Sequence, residues 1–370
     1  MTTAVPITTG ADKETRDFYV PGFLLTSRGG ELPAQVVHDV TQVSYGDDLA
    51  KIDHVEITVS NWDDEKYTFS YSDGDRFMPG KEIELWLGYQ GQGNKLRRMI
   101  TAEITSMKPT FPAGGAPTLV VGGLNVLHRL RGKQQSRKFE NLTASQIAQK
   151  VADGLNVSLR TAPRNESPYP YLLQDKEFDL LFLMTLARWH NYDIFVEEGQ
   201  DKLGRPRVYF GPTDGTDQVV YKLHYGATLT QFDPILSTAR QVESVTVQAW
   251  DRLQKKKIEV TVDRSDLGLG KLDGELQQAV KDRGEVVTAT VANRAEAEQV
   301  ARDRLREIAQ GTVTASGSVV GLPDLRAGAV VEISGVGTRF SGRYEVMSST
   351  HTLGSSGYTT AFTCRRERGE

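Results

Sequence analysis

Phe77-Met78-Pro79-Gly80-Lys81-Glu82-Ile83-Glu84-Leu85-Trp86-Leu87-Gly88 and Leu325-Arg326-Ala327-Gly328-Ala329-Val330-Val331-Glu332-Ile333-Ser334-Gly335 read as one piece of structure written twice. Counting from Gly80 and from Gly328, each stretch has an aliphatic residue at the third position, a glutamate at the fourth and an aliphatic residue at the fifth. A glycine follows soon after in both. This is a turn feeding an alternating strand. The chain is therefore expected to hold two copies of one β-unit, a statement about architecture before chemistry.

The match extends outward in the same order. Met99–Met107 corresponds to Tyr344–Thr350, and Leu119-Val120-Val121 takes the place of Thr360-Ala361-Phe362 as a closing strand. Around the first copy, residues 18–128 read as all-β. Val55, Ile57 and Val59 alternate with polar residues, as do Tyr67, Phe69 and Tyr71, then Ile83, Leu85 and Leu87, then Ile100, Ala102 and Ile104. Strands this closely spaced make a small barrel or sandwich. Residues 1–17, Thr-rich and without an apolar stretch, read as a flexible tail.

The period changes near residue 128, and residues 129–232 read as an α/β middle domain. Thr143-Ala144-Ser145-Gln146 fits a capping box, and Gly154 a C-cap. A second helix is predicted over Phe178–His190, with the row Phe178, Leu181, Phe182, Thr185, Leu186 and Trp189 at helical spacing. The second β-barrel is expected to be split into 233–250 and 311–370, with the alternating valines of Val242–Ala249 as its first strand. The insert, 251–310, holds an amphipathic helix capped at Asn293 with Glu296 at the capping-box position. The fold class is thus mainly β with α/β inserts: two similar β-barrels, an α/β middle domain and a small helix-containing insert.

Composition narrows the function. The net charge of -4 over 370 residues does not suit a nucleic-acid binder, and no nucleic-acid partner is expected. No apolar run is long enough to span a membrane, so neither anchoring nor a signal peptide is expected, and the protein reads as made in the cytoplasm. Cys364 is the single cysteine, which excludes an intrachain disulfide and a cysteine zinc cluster. It alternates with strand residues, as packed core does.

Catalytic motifs are missing. There is no Gly-x-Ser-x-Gly elbow and no His-Glu-x-x-His, and Gly268-Leu269-Gly270-Lys271-Leu272 lacks P-loop spacing. Gly335-Val336-Gly337 lies between strands and reads as a hairpin turn. Asp73-Gly74-Asp75 reads as an ordinary turn, since the other ligands of a calcium loop are absent. His38, His54, His128, His190, His224 and His351 show no metal-binding spacing. The basic stretches Arg129–Lys133, Arg137-Lys138 and Arg252 with Lys255-Lys256-Lys257 read as solvated faces, with contact to an acidic partner as the second reading. Loose carboxylates at Asp63, Asp64 and Glu65 motivate the alternative of a peptidoglycan-binding or peptidoglycan-degrading component. An exposed-aromatic carbohydrate groove is disfavoured because Trp62, Trp86, Trp189 and Trp250 mostly fall in core patterns. No catalytic, cofactor or metal site is predicted, and the chain is expected not to be an enzyme.

Several stretches resemble one family. Gly321-Leu322-Pro323-Asp324-Leu325-Arg326-Ala327-Gly328, Phe340-Ser341-Gly342-Arg343-Tyr344-Glu345-Val346, His351 and Gly357-Tyr358-Thr359-Thr360-Ala361-Phe362 are similar to the end of phage late-control-D proteins. Those are baseplate hubs of contractile tails, related to the first part of type VI secretion spike proteins and to hubs of extracellular contractile injection systems. Asp179–Ala187 resembles the family's middle-domain helix, and Ala295-Glu296-Ala297-Glu298 the segment before its last barrel. The resemblance implies a homotrimer whose six barrels form a pseudo-sixfold ring, meeting a sixfold inner tube on one face and a threefold spike on the other. The chain stops at Glu370. A separate spike protein is therefore expected, beside the inner tube protein and other baseplate proteins, in a phage tail-like particle.

Overall fold

Alternating strands with one apolar face must bury that face, and here they do so by wrapping a sheet around it. The computed structural model describes residues 20–27, 30–90, 96–154, 157–164, 166–190, 192–198, 205–212, 219–251, 255–267, 274–289, 291 and 294–366. The expected tail at 1–17, the cap at Asn293, Arg252 and the 268–272 stretch lie outside them, while Gly154, expected as a C-cap, is the last residue of its helix.

The first barrel comprises β1 (Val20–Ser27), β2 (Gly30–Glu31), the short helix α1 (Ala34–Asp39), β3 (Val40–Asp48), β4 (His54–Ser60), β5 (Trp62–Asp63), β6 (Thr68–Phe69), β7 (Glu82–Gln90), β8 (Arg97–Thr110) and β9 (Thr118–Leu124). Strands β3, β4, β9, β8, β7 and β1 are neighbours in that order. Their inward rows, including Val43, Ile57, Leu85, Ile100 and Val121, pack into one cluster. Tyr67, expected on a strand, sits instead in the turn between β5 and β6 with φ of 52° and is exposed.

The middle unit follows with β10 (Gln134–Phe139), α2 (Ala144–Gly154), β11 (Leu159–Thr161), β12 (Leu172–Phe178), α3 (Asp179–Trp189), β13 (Asp193–Glu197) and β14 (Arg207–Gly211). The capping box forms: Thr143 N–H donates to Gln146 Oε1 at 3.0 Å, and Gln146 N–H reaches back to Thr143 Oγ1 at 3.4 Å. Helix α3 buries Leu180, Phe182, Leu183, Leu186 and Ala187, while Leu181 and Trp189 are exposed. The predicted row was rotated because several apolar rows have helical spacing in an apolar helix, and only packing selects among them.

Next come β15 (Val219–His224), β16 (Leu229–Leu236), β17 (Ser244–Asp251), β18 (Lys256–Asp263), α4 (Gly274–Val280), β19 (Gly284–Thr288), α5 (Arg294–Gln310), β20 (Val313–Val320), β21 (Val330–Ser334), β22 (Gly342–Gly354) and β23 (Gly357–Arg366). Here two sequence expectations are corrected. Strand β17 pairs with β18 and β19, and Val245, Val247 and Ala249 pack against Ala297, Ala301 and Leu305 of α5, so it belongs to the insert. Conversely β15 and β16, expected in the middle domain or at its edge, pair with β21 and β20 in the second barrel. Alternation shows that one face of a strand is buried, but not against what. Trp250, read as core, lies on the outer face of that insert sheet and is exposed.

The duplication is visible bond by bond. Gly80 and Gly328 have φ of 89° and 84°. Gly80 N–H donates to Ile104 O and Gly328 N–H to Val346 O, each at 2.8 Å. Return bonds run from Ile104 N–H to Lys81 O and from Val346 N–H to Ala329 O, again at 2.8 Å. Both barrels also bulge at the same places. Register slips between Val40 and Gln42 in one and between Leu229 and Gln231 in the other. The skipped threonine hydroxyls, Thr41 and Thr230, donate to the partner-strand carbonyls of Thr58 and Ser318 at 3.2 and 2.7 Å. Strands β8 and β22 slip alike, between Ile104 and Ser106 and between Val346 and Ser348. The two barrels are nevertheless one sheet, since β22 pairs with β3 to join thirteen strands among the described residues.

Candidate functional site

The joint between the barrels brings together several strongly perturbed side chains. Ser348–Leu353 of β22 pairs antiparallel with Val43–Asp48 of β3, bringing Ser349 opposite Asp47, His351 opposite Tyr45 and Leu353 opposite Val43. The inward row is therefore polar at two of three positions. Arg326 reaches this row from the glycine turn before β21. Its Nε donates to Asp47 Oδ2 at 2.6 Å, it also donates to the Tyr45 hydroxyl, and its guanidinium lies 4.5 Å from the Tyr45 ring centre. Asp47 accepts further bonds from Ala327 N–H at 3.2 Å, from Ser349 N–H at 3.1 Å and from the Ser349 hydroxyl.

His351 completes the network. Its Nε2 lies 3.1 Å from Leu325 O, which only accepts, so Nε2 carries the proton. Nδ1 then accepts from the Tyr358 hydroxyl at 3.0 Å and Thr360 Oγ1 at 3.1 Å. Burial, with help from the Arg326 charge, pushes its pKa down to about 3 against the pull of Asp47, so the ring stays neutral. Burial would raise Asp47, but Arg326 and the Ser349 hydrogen bond outweigh it and hold the carboxyl below its usual range. Asp53, one loop away, accepts from Asn125 Nδ2 at 2.9 Å and is pushed up to about 7 by burial and the Asp47 charge.

Further contacts cross the same seam. Arg97 pairs with Asp324, the Tyr89 hydroxyl donates to Gly321 O at 2.8 Å, and Leu353 and Tyr358 insert into the first barrel's core. Every buried charge here has a partner, as burial requires. The chemistry available is cohesion. Asp47, His351 and Thr360 are buried, and their hydrogen bonds are made within the joint.

The residues weighed from sequence do not converge. Asp63 is occupied by Lys66 at 3.0 Å, and Asp73-Gly74-Asp75 is a bend. The six histidines lie apart: His128 contacts Asn125 O, His190 the Tyr169 hydroxyl and His224 Ser334. Among the described residues no three His, Cys, Asp or Glu side chains group to hold a metal ion. Arg129 pairs with Glu103, Arg137 with Asp179 and Lys257 with Glu259, so part of each basic stretch is neutralised within the chain. Cys364 is buried, its thiol pushed up to about 12 by burial. Gly335 and Gly337, both with positive φ, make the β21–β22 hairpin turn. No described helix is long and apolar enough to cross a membrane. Sequence reasoning missed Asp47, Tyr45 and Arg326, although Arg326 lies inside the quoted glycine-turn stretch and Thr41-Gln42 repeats at Thr230-Gln231.

Comparison with solved structures places this fold among tail proteins. The 43 kDa tail protein of prophage MuSo2 from Shewanella oneidensis is similar with a TM-score of 0.69 at 14% identity, over 94% of this chain and 98% of that one. A tail protein from Neisseria meningitidis also gives 0.69 at 14% identity, over 94% and 97%. An Escherichia coli protein described as a component of the type VI secretion system gives 0.57 at 13% identity, over 94% and 79%. The resemblance to baseplate hubs drawn from the sequence thus holds at the level of the fold. Among curated proteins no match is found. The family described as Alg8 N-terminal domain matches residues 20–355, nearly the whole described chain, and the protein belongs to that family.

Proposed function

We propose that the chain is a structural baseplate hub of a contractile injection machine. Three copies form a pseudo-sixfold ring that adapts a sixfold inner tube to a threefold spike. One observation carries this reading: a single chain contains two copies of one barrel, fused edge to edge by β22 and β3 in a fixed orientation. Two equivalent barrels in rigid succession are two adjacent positions of a ring. Three such chains supply six, which lets one closed assembly face partners of different symmetry. The fold shared with tail and type VI secretion proteins supports the same machine.

The work is geometric and not catalytic. The titratable groups that a catalyst would tune are spent on holding the joint, and a rigid joint is what an adaptor ring needs. The test is the mass and image of the purified chain, alone and with tube and spike proteins. Three copies with six similar lobes are expected, and a stable monomer at all concentrations would sink the reading.

A further inference from the structure

Each barrel has the same two edges, but only one pair is joined within the chain. The shared bulges fix the equivalence: Gln231 stands where Gln42 does, and Ser106 where Ser348 does. The counterpart of the β22 edge is therefore β8 from Ser106 to its end at Thr110, with Phe111 just after it, and the counterpart of β3 is β16 from Phe232 to its end at Leu236, with Ser237 just after it. Among the described residues, that part of β8 pairs only with β9, and that part of β16 only with β20. We propose that these two edges are the halves of one joint between successive copies of this chain. This rests on the ring reading above and names its contact surface.

The side chains on the two edges match each other. Where the internal joint has Ser349, His351 and Leu353, β8 and the residue that follows it place Met107, Pro109 and Phe111. Where it has Asp47, Tyr45 and Val43, β16 presents Leu236, Pro234 and Phe232. A polar inward row is replaced on both sides by an apolar one. Phe111 is 58% exposed, whereas its counterpart Leu353 is 9% exposed and packed into the neighbouring barrel. Phe111 also stands on an aromatic shoulder, 4.9 Å from Phe69, which lies 5.5 Å from Trp62. Apolar surface of this kind, next to an unpaired strand edge, is covered in a stable assembly.

The outer row fits as well. Thr350 faces Gly46 in the internal joint, so Lys108 faces Ile235 between copies, with Asp233 two residues along on the same face. Such diagonal neighbours sit about 7–8 Å apart, within reach of a lysine. The prolines show what kind of joint it is. Leu49 N–H donates to Met347 O at 3.1 Å, which makes Asp48–Ser348 a non-hydrogen-bonded pair and Tyr45–His351 a hydrogen-bonded one. Pro109 and Pro234 occupy that hydrogen-bonded position and have no N–H to give. They blunt both edges against foreign strands and leave side-chain packing to hold the copies.

The experiment exploits Ser106 and Ser237, the counterparts of Ser348 and Asp48, which would face each other as a non-hydrogen-bonded pair. Cα atoms in such a pair lie about 4.5 Å apart, within disulfide range. Ser106→Cys with Ser237→Cys, oxidised, should give a covalent ladder ending at the ring, while each single variant gives none beyond a dimer. Lys108→Glu should weaken association about fivefold, and adding Asp233→Lys should restore it. Phe111→Asp should weaken it on the order of a hundredfold without unfolding the chain. A wild-type ring with no ladder and no response to these changes overturns the edge assignment alone. A wild type that is always monomeric overturns the ring reading with it.

Discussion

Arg326 and Asp47, separated by 279 positions in the chain, meet at 2.6 Å across the joint between the two barrels. Asp47 is buried, Arg326 is mostly so, and the surrounding hydrogen bonds fix the geometry of the pair. Whether such a pair stabilises depends on what replaces it, since desolvating two charges offsets much of their attraction. Removing one partner is different, because it leaves the other charge uncompensated.

Arg326→Met is therefore expected to lower stability by about 3–5 kcal/mol. Combining it with Asp47→Leu should recover most of that loss, since Leu236 already fills the equivalent place in the second barrel. Chemical denaturation of the three proteins measures both effects. Equal instability of the single and double variants would show that the ion pair itself, and not its unpaired remnant, matters.

Two groups near the joint oppose each other with pH. Asp53 titrates at about 7 when folded, above its unfolded value of about 3.9. The folded state then binds more protons between those values, and stability falls as pH rises through them. His351 titrates at about 3 when folded, below its unfolded value of about 6.5. The unfolded state binds more protons there, so stability rises over that window. The wild type should be nearly flat between about pH 4 and 6.5. Asp53→Asn should expose the rising limb, and His351→Gln the falling one, in urea titrations across this range. Parallel profiles for the two variants would contradict the assignment.

Leu353 and Phe111 stand at equivalent places with opposite burial. Leu353→Ala should cost about 2–5 kcal/mol by opening a cavity at the seam. Phe111→Ala should change the stability of the separated chain by less than about 0.5 kcal/mol. Thermal unfolding in dilute solution, where copies are apart, distinguishes the two.

Gly80 and Gly328 share a backbone conformation that side chains rarely adopt. A Cβ at Gly80 meets nothing within 4 Å, and one at Gly328 meets only Leu49 Cδ2 at 3.7 Å. The cost of alanine is therefore conformational, about 1–2 kcal/mol at each site. Equal losses in Gly80→Ala and Gly328→Ala would support the duplication energetically, and a loss at only one would count against it.

Local rules made the repeat legible. A glycine with positive φ followed by an alternating strand leaves the same mark wherever it occurs, as the stretches at Gly80 and Gly328 do. The capping box at Thr143 and Gln146 was equally local, needing only four consecutive residues. Partnership was not local. The valines of β17 alternate whether they pack on a barrel or on α5, and Leu181 has helical spacing whether it faces in or out. The joint itself was illegible for the same reason. Asp47, Tyr45, Arg326 and His351 carry no mutual spacing in sequence, and only the pairing of β22 with β3 brings them into one desolvated cluster. By itself the sequence determined that one unit occurs twice. The tertiary structure decided which edges of the two units are fused and which are left open, because hydrogen bonding and burial across a sheet depend on neighbours that the chain order does not specify.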